Sequence, residues 1–176
     1  HRFPAEHDGA FVNAYRVETD AGVVAVDGLL TVSAAKEMRT VLDRLRKPLH
    51  AVLVTHSHPD HYAGLAEIVA GSDVPIVAPQ GVIDTITTDD AMKEQIIGPI
   101  FGDDWPKTRV FPNTPIRDGE SLTFDGVKFT VIDLGPSESP HDSPWVLGDD
   151  ETVVFLGHQI YDPRHCYLAD GFYAEW

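Results

Sequence analysis

The chain has 176 residues, with 43% hydrophobic and 23% charged side chains, and its 13 basic against 28 acidic groups give a formal charge of −15. Such a composition buries one substantial core, so one domain over 1–176 is expected and disorder is not. The acidic excess repels phosphate backbones and anionic headgroups, and no run reaches the roughly 18 apolar residues of a membrane span, so neither nucleic acid nor membrane is an expected partner. The single cysteine, Cys166, forms no intramolecular disulfide and so leaves the compartment open, with a soluble, cytoplasmic protein slightly favoured.

Residues 11–18 alternate roughly in polarity and lead through Thr19-Asp20-Ala21-Gly22 into the apolar run Val23-Val24-Ala25-Val26, the pattern of a β-hairpin ending at Asp27-Gly28. From Ser33 to Lys47, Ala34, Met38, Val41, Leu42 and Leu45 recur at three- and four-residue spacing, which predicts an amphipathic helix with Ser33 as N-cap and Pro48 closing it. Ala51-Val52-Leu53-Val54 then reads as a buried strand of the parallel kind, and 65–70 as a short helix ending at Gly71. A short strand at 75–78 and a helix over 81–97 follow. Residues 98–118 hold four prolines, Gly102 and Trp105, which predicts a long loop whose Trp105 could border a substrate site. The strands 121–124 and 127–132, joined by the turn Asp125-Gly126, and two more at 145–147 and 152–156 complete the reading.

Four metal-competent side chains, His56, His58, Asp60 and His61, fall within six positions between the strand at 51–54 and the helix at 65–70. Strand alternation points His56 and His58 the same way, and the turn after them can carry Asp60 and His61 back over the same point. Imidazole nitrogens suit Zn²⁺ at about 2.0–2.1 Å, with Mn²⁺ or Fe²⁺ also compatible, and a carboxylate beside them binds a second ion or orients a bound water.

The segment Thr55-His56-Ser57-His58-Pro59-Asp60-His61 resembles the HxHxDH signature of the metallo-β-lactamase superfamily, supported by Asp27-Gly28, Gly64 and Phe155-Leu156-Gly157. The resemblance implies an α/β fold, a four-layer αββα sandwich of two mixed sheets flanked by helices, with one or two zinc ions at one edge. Relatives of this kind take a further ligand from a loop after a mid-chain strand. In the stretch 134–143, register selects Glu138 and zinc preference selects His141, and both stand as candidates. The family's bridging aspartate falls here on His158, and a neutral imidazole offers one lone pair where a carboxylate offers two oxygens. His165, in a segment similar to that of superfamily hydrolases, is implied to lie near the pocket. Family members usually continue through another helix to a last strand with a final histidine, so the chain is expected to lack these.

The implied activity is hydrolysis of a small molecule, an ester, lactone, thioester or amide, with Asp60 orienting the attacking water or accepting its proton. The competing expectation is a non-catalytic metal-binding member, motivated by His158. A sandwich lacking its last elements would expose apolar surface, which points to a homodimer.

Overall fold

In the computed structural model, which describes residues 1–6, 9–148, 153–161 and 167–175, the apolar runs become the strands of two stacked sheets. The strands β1 (Arg2–Pro4), β2 (Asn13–Glu18), β3 (Val23–Val26), β4 (Leu49–Leu53), β5 (Ile76–Pro79) and β6 (Thr114–Ile116) form the first sheet in that spatial order. Its first three strands run antiparallel and β3 to β6 run parallel. The second sheet has the order β10-β9-β8-β7, from β7 (Ser121–Phe124), β8 (Val127–Val131), β9 (Trp145–Leu147) and β10 (Val153–Phe155). The α/β two-sheet sandwich is thus what the chain builds. The second sheet is antiparallel throughout rather than mixed, because its strands are linked without the crossover helices that parallel neighbours need.

Both faces of the first sheet are covered. Helices α1 (Val32–Arg44), α3 (Leu65–Ile68) and α4 (Gln80–Phe101) lie on one face, where Ala35, Met38, Leu65, Ile68, Val82 and Ile86 pack with Val52 and Val54. The second sheet covers the other face, where Val24, Val26, Leu53 and Val77 meet Phe129, Val131 and Trp145. Strands β3 and β5 are buried at every position, as their uninterrupted apolar runs predict for strands with both faces covered. The Trp145 indole crosses between the sheets and donates from Nε1 to the Val54 carbonyl at 3.1 Å.

Three local expectations are corrected. The N-cap of α1 is Thr31, whose side chain accepts from Ala34 N, while Ser33 donates to Asp104. Helix α4 runs on through Pro99 to Phe101 and stops at Gly102, whose φ of 56° suits glycine. The stretch expected to be loop also contains β6, which holds Pro115 at the sheet edge, where a missing N–H breaks no ladder.

Candidate metal centre

The site is assembled where β3 and β4 end side by side. After β3 the backbone enters the left-handed region at Asp27 (φ 65°) and Leu29 (φ 65°), a conformation non-glycine residues adopt only when their surroundings enforce it. Hydrogen bonds from Asp27 N to Leu53 O, from Gly28 N to His61 O and from Gly64 N to Leu29 O enforce it here. Glycine is required at position 64, because a Cβ there would come within 2.5 Å of the Gly28 carbonyl oxygen. The buried Asp27 carboxylate accepts from Thr55 N at 2.8 Å and from Thr55 Oγ1 at 3.0 Å, which fixes the exit of β4.

Beyond β4 the chain bonds to the loop of the second sheet. His56 pairs with Asp142 as an isolated bridge, and Ser143 N donates to Thr55 O at 2.7 Å. Asp142 Oδ2 accepts from Ser139 N at 2.7 Å, closing a tight turn that carries the buried Glu138 over the histidines. The short helix α2 (Pro59–Tyr62) turns the backbone so that the His61 ring lies 3.9 Å from the His56 ring, centroid to centroid.

Each of four imidazoles has its outer nitrogen hydrogen-bonded, which sets the direction of the inner lone pair. His56 Nδ1 donates to Thr55 Oγ1 (3.0 Å), His61 Nδ1 to Asp27 Oδ2 (2.8 Å), His58 Nε2 to Asp170 Oδ2 (2.9 Å), and His158 Nδ1 to Glu138 Oε1 (3.1 Å). The inner atoms form two groups. His56 Nε2 lies 3.1 Å and His58 Nδ1 2.9 Å from Glu138 Oε2. His61 Nε2 lies 3.2 Å from His158 Nε2 and 3.3 Å from Asp60 Oδ2. His56 Nε2 is fully buried and makes no hydrogen bond despite its short distance to Glu138. Two electron-pair donors within reach of each other yet unbonded are what a shared divalent cation requires, and the sets His56, His58, Glu138 and His56, His61, His158 each converge closely enough to hold one.

The electrostatics follow from the same contacts. Burial holds His56 below its ordinary pKa, so its ring is neutral. Burial also opposes the charge on His58, but Asp170 and Glu138 outweigh it and raise the group to about 9. His61 is likewise raised well above its usual value, against burial, by Asp27 and Asp60. Burial would raise both carboxyl groups, yet His61 beside Asp60, and His158, His56 and His58 around Glu138, hold them far below the usual carboxylate range.

Of the candidates, His56, His58, Asp60, His61, Glu138 and His158 are therefore brought together. His141 is not: its ring lies against Gly81 at the head of α4, where a Cβ on Gly81 would come within 2.4 Å of it. Trp105 is buried with Leu30 and Ala63 under Arg109, apart from the cavity over the cluster. His165 lies outside the described residues. Sequence reasoning assigned no role to Asp27, Asp170 or Tyr161, although Asp27-Gly28 was part of the resemblance. Tyr161 donates to Glu138 Oε1 at 2.8 Å. A cavity of about 260 Å³ opens over the cluster, with Leu30, Ile97 and Phe101 as an apolar wall and Lys93, Tyr161 and Tyr167 as polar lining.

A family model described as the metallo-beta-lactamase superfamily matches residues 7–168. An alkyl/aryl-sulfatase of Saccharomyces cerevisiae is 32% identical over 193 residues, covering 88% of this chain and 30% of that protein. A hydroxyacylglutathione hydrolase of Bdellovibrio bacteriovorus is 32% identical over 124 residues, covering 69% of this chain and 39% of its own length. Among solved structures, the FEZ-1 metallo-beta-lactamase of Legionella gormanii superposes with a TM-score of 0.67 at 16% identity, over 93% of this chain and 64% of that one, a likeness of fold. The chain spans less than half the length of the curated relatives it matches.

Proposed function

The chain belongs to the metallo-beta-lactamase superfamily, and on that premise we propose that it is a metal-dependent hydrolase of small-molecule esters. Residues 1–176 serve in this reading as one domain of that family. The observation that carries the proposal is the convergence of His56 Nε2, His58 Nδ1 and Glu138 Oε2, each imidazole oriented by a partner behind it. These three atoms would hold Zn²⁺, with Mn²⁺ or Fe²⁺ as alternatives. A zinc ion so held supplies a Lewis acid and lowers the pKa of a bound water to about 7.

The chain's own residues do the rest. Asp60, kept ionised by His61, would orient the attacking water by accepting its hydrogen bond at Oδ2. Leu30, Ile97 and Phe101 exclude bulk water from one side of the cavity and would seat the apolar part of the substrate. Candidate scissile bonds are those of carboxylic esters, lactones, thioesters and amides. Sulfate esters join them because the yeast relative is a sulfatase.

The test is turnover by the zinc-reconstituted protein on a panel of sulfate ester, thioester, lactone and β-lactam substrates, with His58→Ala as control. Absence of any turnover that His58→Ala abolishes would sink the proposal. A second reading, a metal-holding protein without catalysis, draws on His158 standing where the family has an aspartate; one tightly held ion with no product in a single-turnover assay would favour it.

A further inference from the structure

One wall of the cavity over the histidine cluster comes from a single row of helix α4. Lys93, Ile97 and Phe101 follow one another at four-residue spacing, so they share a helix face, and all three line the cavity. At roughly 1.5 Å of rise per residue the row is about 12 Å long. Its Phe101 end is apolar and packs with Leu30 and Trp105. Its Lys93 end lies toward Asp170, whose carboxyl is held below its ordinary range chiefly by the His58 hydrogen bond and in smaller part by the Lys93 charge. Lys93 is the only lysine or arginine among the described residues that line this cavity. It is half-buried, yet makes no hydrogen bond and no ion pair with any described residue. The carboxylates nearby are already engaged, Asp60 with His61, Glu138 with His56, His58 and Tyr161, and Asp170 with His58. A partly dehydrated ammonium without a partner is uncompensated charge, and a ligand's anionic group would compensate it.

We propose that Lys93 selects the substrate of this cavity by binding a carboxylate that takes no part in the reaction, while Ile97 and Phe101 seat a small apolar group of the same molecule. The substrate class is then a compact acid that carries its scissile ester or related bond between these two ends, and a cavity of about 260 Å³ keeps it small. A lysine suits this task because its ammonium is a compact charge with three donors on a flexible stem. The carboxylate is held alike before and during the reaction, so Lys93 acts on KM and leaves the barrier from the bound state unchanged.

The inference deepens the proposed function by naming its substrate class, and a binding measurement that needs no turnover keeps the two failures apart. Monobenzyl succinate and benzyl succinamate, which differ only in a carboxylate against a carboxamide, are titrated into the full chain and followed by NMR. The chain is metal-stripped, because a bound cation would itself attract the carboxylate. The wild type and Lys93→Arg are expected to bind the carboxylate about tenfold tighter than the amide, through one charge-assisted hydrogen bond. In Lys93→Met the two ligands bind alike, with the amide as tight as in the wild type, and Lys93→Gln repeats the reading should the Met variant not fold. In the zinc-loaded protein the same preference falls on KM and not on kcat. No carboxylate preference in the wild type, no measurable binding of the carboxylate, or a preference that survives in Lys93→Met overturns the inference, as does a Lys93→Met loss confined to kcat. Absence of turnover beside an intact binding preference defeats the hydrolytic reading and supports the anion site.

Discussion

Asp27→Asn isolates what a carboxylate one hydrogen bond behind His61 contributes. Asparagine tolerates the left-handed backbone that Asp27 adopts at φ 65°, and its remaining oxygen can still accept from Thr55 N, so the loop is not the target. The atom that changes is Oδ2, which accepts from His61 Nδ1 at 2.8 Å and from Thr55 Oγ1 at 3.0 Å. An NH₂ group in its place cannot accept, so His61 must turn its Nδ1 lone pair outward and move its proton to Nε2, the atom facing Asp60 and His158. The charge-assisted bond lost contributes about 1.5–3 kcal/mol. Substitution of such a partner typically weakens metal binding by about 10–100-fold, or roughly 1.4–2.8 kcal/mol. The assay is Zn²⁺ competition against a chelator, with circular dichroism confirming the fold. A folded Asp27→Asn protein that binds zinc within threefold of wild type would refute the reasoning that Asp27 sets the His61 tautomer.

The proton on His58 supplies a pH test. Its folded value of about 9 exceeds the ordinary 6.5, so the stabilisation it lends the metal-stripped protein is complete below about pH 6.5 and disappears as pH rises through about 9. The loss is up to about 3 kcal/mol, and a Tm of metal-stripped protein that stays flat across that window would contradict it. Zinc must displace the same proton, so calorimetry near pH 7.5 in buffers of different ionisation enthalpy should register proton release, and buffer-independent heats would count against the His58–Asp170 pairing. Gly64→Ala would put a Cβ 2.5 Å from Gly28 O and 2.7 Å from the Ala35 Cβ; a Tm lowered by roughly 3–10 °C is expected from about 1–3 kcal/mol of overpacking, and an unchanged Tm would mean the loop can yield. Trp145→Phe leaves the Val54 carbonyl without its donor between the sheets, an expected loss of about 1–3 kcal/mol in denaturant unfolding, and a loss below about 0.5 kcal/mol would show that carbonyl finding another partner.

The elements that read correctly from the chain are those whose local pattern agrees with the packing around them. Strands β3 and β5 and the Ala51–Leu53 end of β4 are short apolar runs covered on both faces, and α1 keeps its apolar side chains on one stripe, so local pattern and tertiary environment agree. The elements that did not read are those held by neighbours. Three-residue β1 and β6 exist because β2 and β5 offer an edge to pair with, and α4 outlasts Pro99 where composition predicts a break. The same division runs through the site. His56, His58, Asp60 and His61 lie close together in the chain and were legible as a unit, Glu138 and His158 were legible only through the resemblance, and Asp170 was not legible at all.

Residue types and their spacing were enough to determine that a metal-competent cluster follows a buried strand, since imidazoles two and five positions apart on one turn can converge by local geometry alone. Only the folded chain shows that Glu138 and not His141 lies beside the histidines, because that placement depends on how the loop after β8 pairs with the end of β4. The orientation of every ligand is likewise a tertiary property. A histidine's useful lone pair is set by the group behind its other nitrogen, and those groups, Asp27, Asp170, Glu138 and Thr55, are gathered from across the chain by the packing of the two sheets.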